Sequence, residues 1–125
     1  MMHLRLLILF ITTLLIIGCS TGTDTDEVDF GAEYNVVVTD EFPNLTDSEL
    51  QVEVSYSGCD PNHEFSLNFR QINVSEYDVW LTKVTPDQDC QAFFQELVIQ
   101  PLPEEIRTGR LVFFGPNERI VLREG

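Results

Sequence analysis

Residues 34–125 predict a small all-β domain, an immunoglobulin-like β-sandwich or, as the alternative, a partly open β-barrel. Three observations carry this. Apolar and polar residues alternate strictly in several runs, the period that puts successive side chains on opposite faces of a strand. Turn-forming residues punctuate these runs every ~8–12 residues, the spacing of all-β folds. Two cysteines, Cys59 and Cys90, sit in such turns. The chain holds 125 residues, which allows one domain of ordinary size.

The elements follow in order. Tyr34 to Thr39 is short and β-branched. Asp40 to Glu49 reads as a loop; Thr46 and Glu49 have capping-box spacing, but no helical apolar run follows. Gln51 to Ser57 alternates, with Val52, Val54 and Tyr56 on the core face. A turn at Gly58 to His63 leads to Glu64–Arg70, which places Phe65, Leu67 and Phe69 inward. Glu76 to Thr85 is a third alternating run, with Tyr77, Val79, Leu81 and Lys83 on one face and Asp78, Trp80, Thr82 and Val84 on the other.

Pro86 to Asp89 is a turn. Ala92 to Leu102 fits a strand, although Phe93 with Leu97 and Phe94 with Val98 also match helical spacing. Val98, Ile99 and the prolines that follow favour the strand. Pro103 to Gly109 fits one helical turn, with Pro at the start, acids early and Gly at the end. Arg110–Phe114 and Arg119–Arg123 form a hairpin through Gly115–Glu118. Seven strands result.

The N-terminus has a different character. Arg5 gives a positive n-region, and Leu6 to Ile17 is an apolar run. Twelve helical residues span only ~18 Å against the ~30 Å of a hydrocarbon core, so the run reads as an export signal. It ends in Ile16-Ile17-Gly18-Cys19, which resembles a bacterial lipobox. That resemblance implies a lipoprotein signal peptide over 1–18, lipidation (palmitate) of Cys19, and a membrane anchor needing no transmembrane helix. Ser20 follows the cysteine, which resembles the pattern of outer-membrane sorting, so the expected location is the cell envelope, at the outer membrane. Cleavage near Gly18 with Cys19 incidental is the alternative. Residues 19–33 read as the lipidated Cys and an acidic flexible tether. Asp24, Asp26 and Asp29 do not make a calcium loop, because the sixth and twelfth positions are Asp29 and Asn35 where Gly and Glu are required.

Charge narrows the partners. The chain carries 7 Lys and Arg against 21 Asp and Glu, a net −14; removal of Arg5 makes it more negative still. Such a polyanion repels phosphate backbones, so no nucleic acid is expected. The expected partners are the membrane, through lipid on Cys19, and an envelope protein or polysaccharide.

In an exported chain with Cys19 acylated, Cys59 and Cys90 make an even pair in an oxidising compartment, and a disulfide is expected. His63, at the entry of the following strand, is expected to satisfy a loop carbonyl, Asp60 or Asp89. The competing reading makes Cys59, His63 and Cys90 metal ligands, completed by Asp60 or Asp89. The stretch Val54 to Cys59, followed by His63-Glu64-Phe65 and a later turn at Asp87 to Cys90, resembles a loose group of small bacterial exported proteins. They share a GC…HxF stretch and a downstream Cys. The resemblance implies a structural cluster and no activity.

No nucleophile elbow, P-loop, dinucleotide fingerprint or HExxH is present. His63 is the one histidine after the signal, so any Ser–His–acid triad would need it. Trp80 is expected to serve packing. The expectation is therefore a non-enzymatic binding or structural module with no cofactor and no metal. The alternative is a small hydrolase or metal-binding protein centred on His63.

Overall fold

The computed structural model describes residues 28–125. The expected signal peptide, Cys19 and the first part of the expected tether lie outside the described residues. Eight strands are formed among the described residues: β1 (Asn35–Val36), β2 (Asn44–Leu45), β3 (Glu49–Gly58), β4 (Phe65–Asn73), β5 (Glu76–Lys83), β6 (Ala92–Pro101), β7 (Arg110–Phe114) and β8 (Arg119–Arg123). They make two four-stranded sheets, not closed into a barrel. The fold is a small β-sandwich with one disulfide. Among the described residues no helix is long and apolar enough to cross a membrane.

The first sheet is built on β3. It pairs along its full length with β6, from Glu49↔Pro101 to Gly58↔Ala92, and on its other side with β1 and then β2. The run Ala92–Leu102 is thereby fixed as a strand. The second sheet has the order β4-β5-β7-β8. Its β4–β5 and β7–β8 pairs are antiparallel, whereas β5 and β7 run parallel. A parallel pair needs a crossover connection. Here β6 supplies it by carrying the chain to the opposite sheet and back.

The core lies between the sheets, where the alternating rows meet. Leu50, Val52, Val54 and Tyr56 of β3 face Val79 and Leu81 of β5 and Leu111 and Phe113 of β7, all buried. The 3-10 turn Glu104–Ile106 occupies the expected helical turn and buries Ile106. Thr46 does not start a helix; its Oγ1 accepts the Glu49 N–H at 3.0 Å in a turn that aims the chain into β3.

Several details depart from the sequence reading. The expected strand Tyr34–Thr39 shortens to Asn35–Val36, and a second short pairing appears within the expected 40–49 loop. Phe69 falls on the inward row but is exposed, on the edge strand of its sheet. Trp80 lies on the outer face, where the Arg70 guanidinium packs 5.8 Å from its ring centroid and Arg70 pairs with Asp78 at 3.0 Å. The end of the expected tether is bonded to the domain. Phe30 O accepts the Lys83 N–H at 2.9 Å and Ala32 N–H donates to Lys83 O at 3.2 Å. Gly31 between them has φ 72°, and a Cβ there would collide with the Lys83 backbone.

Candidate functional site

The chemistry-bearing residues converge on one pole of the sandwich. There β3 ends, β4 begins, β5 ends and β6 begins. Because Gly58 and Ala92 close the β3–β6 ladder, the residues just beyond them are already neighbours. Cys59 and Cys90 form the expected disulfide, with Cα atoms 4.7 Å apart and 31 residues of sequence separation. It staples two turns at the end of one sheet. It does not cross the core between sheets, as the disulfide of an antibody domain does.

His63 is buried at the same pole. Its backbone N–H donates to the Tyr56 hydroxyl at 3.2 Å, and its ring stacks on Tyr56 with centroids 4.2 Å apart and 21° between planes. Nε2 lies 3.1 Å from Gln88 Oε1 and 3.4 Å from Asp60 Oδ1. Both are acceptors, so Nε2 donates to them. Nδ1 is buried and has no hydrogen-bond partner. Gln88 ties the two turns together: its oxygen also accepts the Cys59 N–H at 2.6 Å, and its amide nitrogen donates to Asp60 at 3.2 Å. Of the two expected acids the structure uses Asp60; Asp89 stays exposed.

Gly58 is dictated by this packing. A Cβ there would lie 2.6 Å from Gln88 Oε1 and 2.9 Å from His63 Cε1. Asn62 takes φ 64°, the left-handed region that Asn tolerates best among side-chain-bearing residues, and its N–H reaches Glu96 at 3.1 Å. The GC…HxF stretch is therefore one packing unit: the glycine makes room for the imidazole that the next turn swings underneath.

A second buried group stands on the other side of the pole. Lys83 is 2% exposed, its Nζ donating to Glu33 O at 3.2 Å and sitting 4.5 Å from the Tyr56 ring centroid. Burial pushes its pKa down, opposed by the carboxylates of Asp87, Glu33 and Glu96. Burial raises the Tyr34 hydroxyl, which donates to Leu81 O at 2.5 Å. It raises Tyr56 too, helped by Glu96. Above this group an open cleft of about 280 Å³ is lined by Glu33, Asn35, Ser55, Asp87 and Phe93 among others.

The alternation puts Lys83 on the same face as Tyr77, Val79 and Leu81, and the structure buries it. Gln88 and Glu96 carried no signal, because their partners are remote in sequence. The disulfide leaves neither cysteine a thiolate to ligate a metal. Among the described residues no group of three or more His, Cys, Asp or Glu is arranged to hold a metal ion. The alternative ligand set Cys59, His63 and Cys90 is thus replaced by a bridge and a stacked, hydrogen-bonded ring.

The two sheets also differ in charge. Segments 28–64 and 86–101, which supply β1, β2, β3, β6 and the pole, hold nine and three acids respectively and no Lys or Arg. Segments 65–85 and 102–125, which build the second sheet, hold six acids and six bases. No protein-family model, curated protein or solved structure matches the chain.

Proposed function

We propose that this protein is a lipid-anchored, non-enzymatic binding module of the cell envelope, held at the outer membrane through Cys19 and presenting an acidic sheet to an envelope partner. The observation that carries the reading is the charge division. One sheet with its loops is purely acidic while the other is balanced, a distribution that gives one face a strong field and leaves the other nearly neutral. The state of His63 supports it. Its Nε2 is spent on Gln88 and Asp60, and its ring is stacked on Tyr56, which suits a turn-fixing role better than a general base.

The anchor and the fold agree in direction. Residues 29–32 enter beside Lys83 at the disulfide pole, so a lipid on Cys19 would tether that pole. The stretch from Cys19 to Val28 reaches at most ~30 Å, which keeps the domain near the bilayer surface.

The test has two arms. Cells fed an alkyne fatty acid should label the wild type and not Cys19→Ser, and the variant should leave the membrane fraction. A panel of ester, peptide and glycoside substrates should give no turnover that His63→Ala abolishes. Equal labelling of Cys19→Ser, or His63-dependent turnover, overturns the reading.

A further inference from the structure

We propose that the free edge and outer face of β6 are a docking site for an extended, Lys- or Arg-bearing segment of a partner protein, which adds to the first sheet as another strand. This rests on the binding-module reading and names its surface and its partner's chemistry. Among the described residues β6 is paired on one side only, by β3. It is ten residues long, with an unbroken register from end to end. Exposed edges of that length are ordinarily blunted by short strands, bulges, prolines or lysines. β6 has none of these before its last residue, Pro101; its one charge is Glu96 on the inner row, which accepts the Asn62 N–H at 3.1 Å.

Its outer face carries three exposed apolar side chains around Gln95, whose amide donates to Glu53 at 2.7 Å. Phe93 is 68% exposed, Leu97 44% and Ile99 49%, and they stand in one row because residues two apart share a face. The β3 residues across from them are Ser57, Glu53 and Gln51, too small or polar to cover them. On the other side of the strand an open groove of about 330 Å³ runs between β6 and the start of β4, lined by Glu64, Phe65, Glu96, Leu97, Val98 and Gln100. Gln100 spans its end, donating to Phe65 O at 2.9 Å.

These two sides specify the occupant. In an added strand, residues opposite Leu97 and Ile99 point to the outer face, and the alternate residues point toward the groove that holds Glu64 and Glu96. The matching sequence alternates apolar and cationic side chains. Backbone hydrogen bonds give such strand addition its affinity and alternate side chains its specificity. A second copy of this chain is disfavoured, because it would set one purely acidic sheet against another. A polysaccharide has no backbone ladder to pair with the edge.

The experiment uses the full-length protein and a fluorescent peptide of about seven residues alternating Lys and Val. A peptide with Glu for Lys and one with a central Pro serve as controls. The Lys–Val peptide should bind, more weakly at high salt, and slow amide exchange at residues 93–99; both controls should fail. Leu97→Lys/Ile99→Lys should weaken binding at least about tenfold with an unchanged urea midpoint. The site is overturned if that variant binds equally, if protection falls elsewhere, or if the Glu peptide binds as well. It is also overturned if sedimentation shows a dimer that the variant loses, or if an envelope polysaccharide competes for β6. Each of these leaves the Cys19 labelling and turnover results standing, whereas failure of those leaves the β6 result standing.

Discussion

Removing the disulfide tests the architecture most directly. In the chain-entropy model a cross-link stabilises by shrinking the unfolded ensemble, with ΔS ≈ −2.1 − 1.5R ln n. The Cys59–Cys90 separation of 31 residues then gives about 3.7 kcal/mol at 25 °C. Unfolding entropy of ~2.1 cal/mol/K per residue over residues 28–125 is ~0.2 kcal/mol/K, so Cys59→Ala/Cys90→Ala should melt about 18 °C lower. The native state should be little changed, because β3 and β6 stay paired along ten residues without the bridge. The assay is calorimetry of the double variant beside the wild type, with amide exchange on β3 as the structural control. A loss below about 1 kcal/mol would refute the reasoning, since the bridge would then close no loop that the unfolded chain leaves open. Altered exchange at Val52 and Val54 would refute it differently, by showing that the bridge holds the ladder in register.

His63→Ala should cost about 2–3 kcal/mol, from the lost ring stack and the lost Nε2 hydrogen bond; an unchanged urea midpoint would mean the ring is not held by Tyr56 and Gln88. Lys83 titrates lower in the folded protein than its ordinary 10.5, so between its folded value and 10.5 the unfolded chain binds more protons and stability from this group rises with pH. The stability of the wild type relative to Lys83→Met should therefore rise as pH climbs toward 10.5, and a constant difference in urea titrations would contradict the burial effect. Tyr34 is shifted the other way, so its contribution is full below pH 10 and is lost as pH rises above it. Tyr34→Phe should flatten the alkaline fall in urea midpoint, and an equally steep fall would assign it to other groups.

Much of the fold was legible in the residues because a half-buried strand must alternate. Val52, Val54 and Tyr56 share one face of their run and are buried; Val79, Leu81 and Lys83 share one face of theirs and are buried too. The hairpin and the helical turn were legible from Pro and Gly, whose backbone limits act locally. The Cys59–Cys90 pair was legible from cysteine parity in a chain whose N-terminus reads as an export signal. Periodicity could not decide Ala92–Leu102, because Phe93, Leu97 and Ile99 are apolar on the exposed side and blur the alternation.

What only the tertiary structure decided is everything that depends on which strands become neighbours. The parallel pairing of β5 with β7 requires β6 to leave for the other sheet, and no local pattern encodes that departure. The same holds at the pole. Gln88 reaches His63 across 25 residues, Asn62 reaches Glu96 across 34, and Lys83 reaches Glu33 O across 50. Sequence fixes a side chain's face through the two-residue period of the strand. Its partner is fixed by the register between strands, which comes from packing the whole core at once.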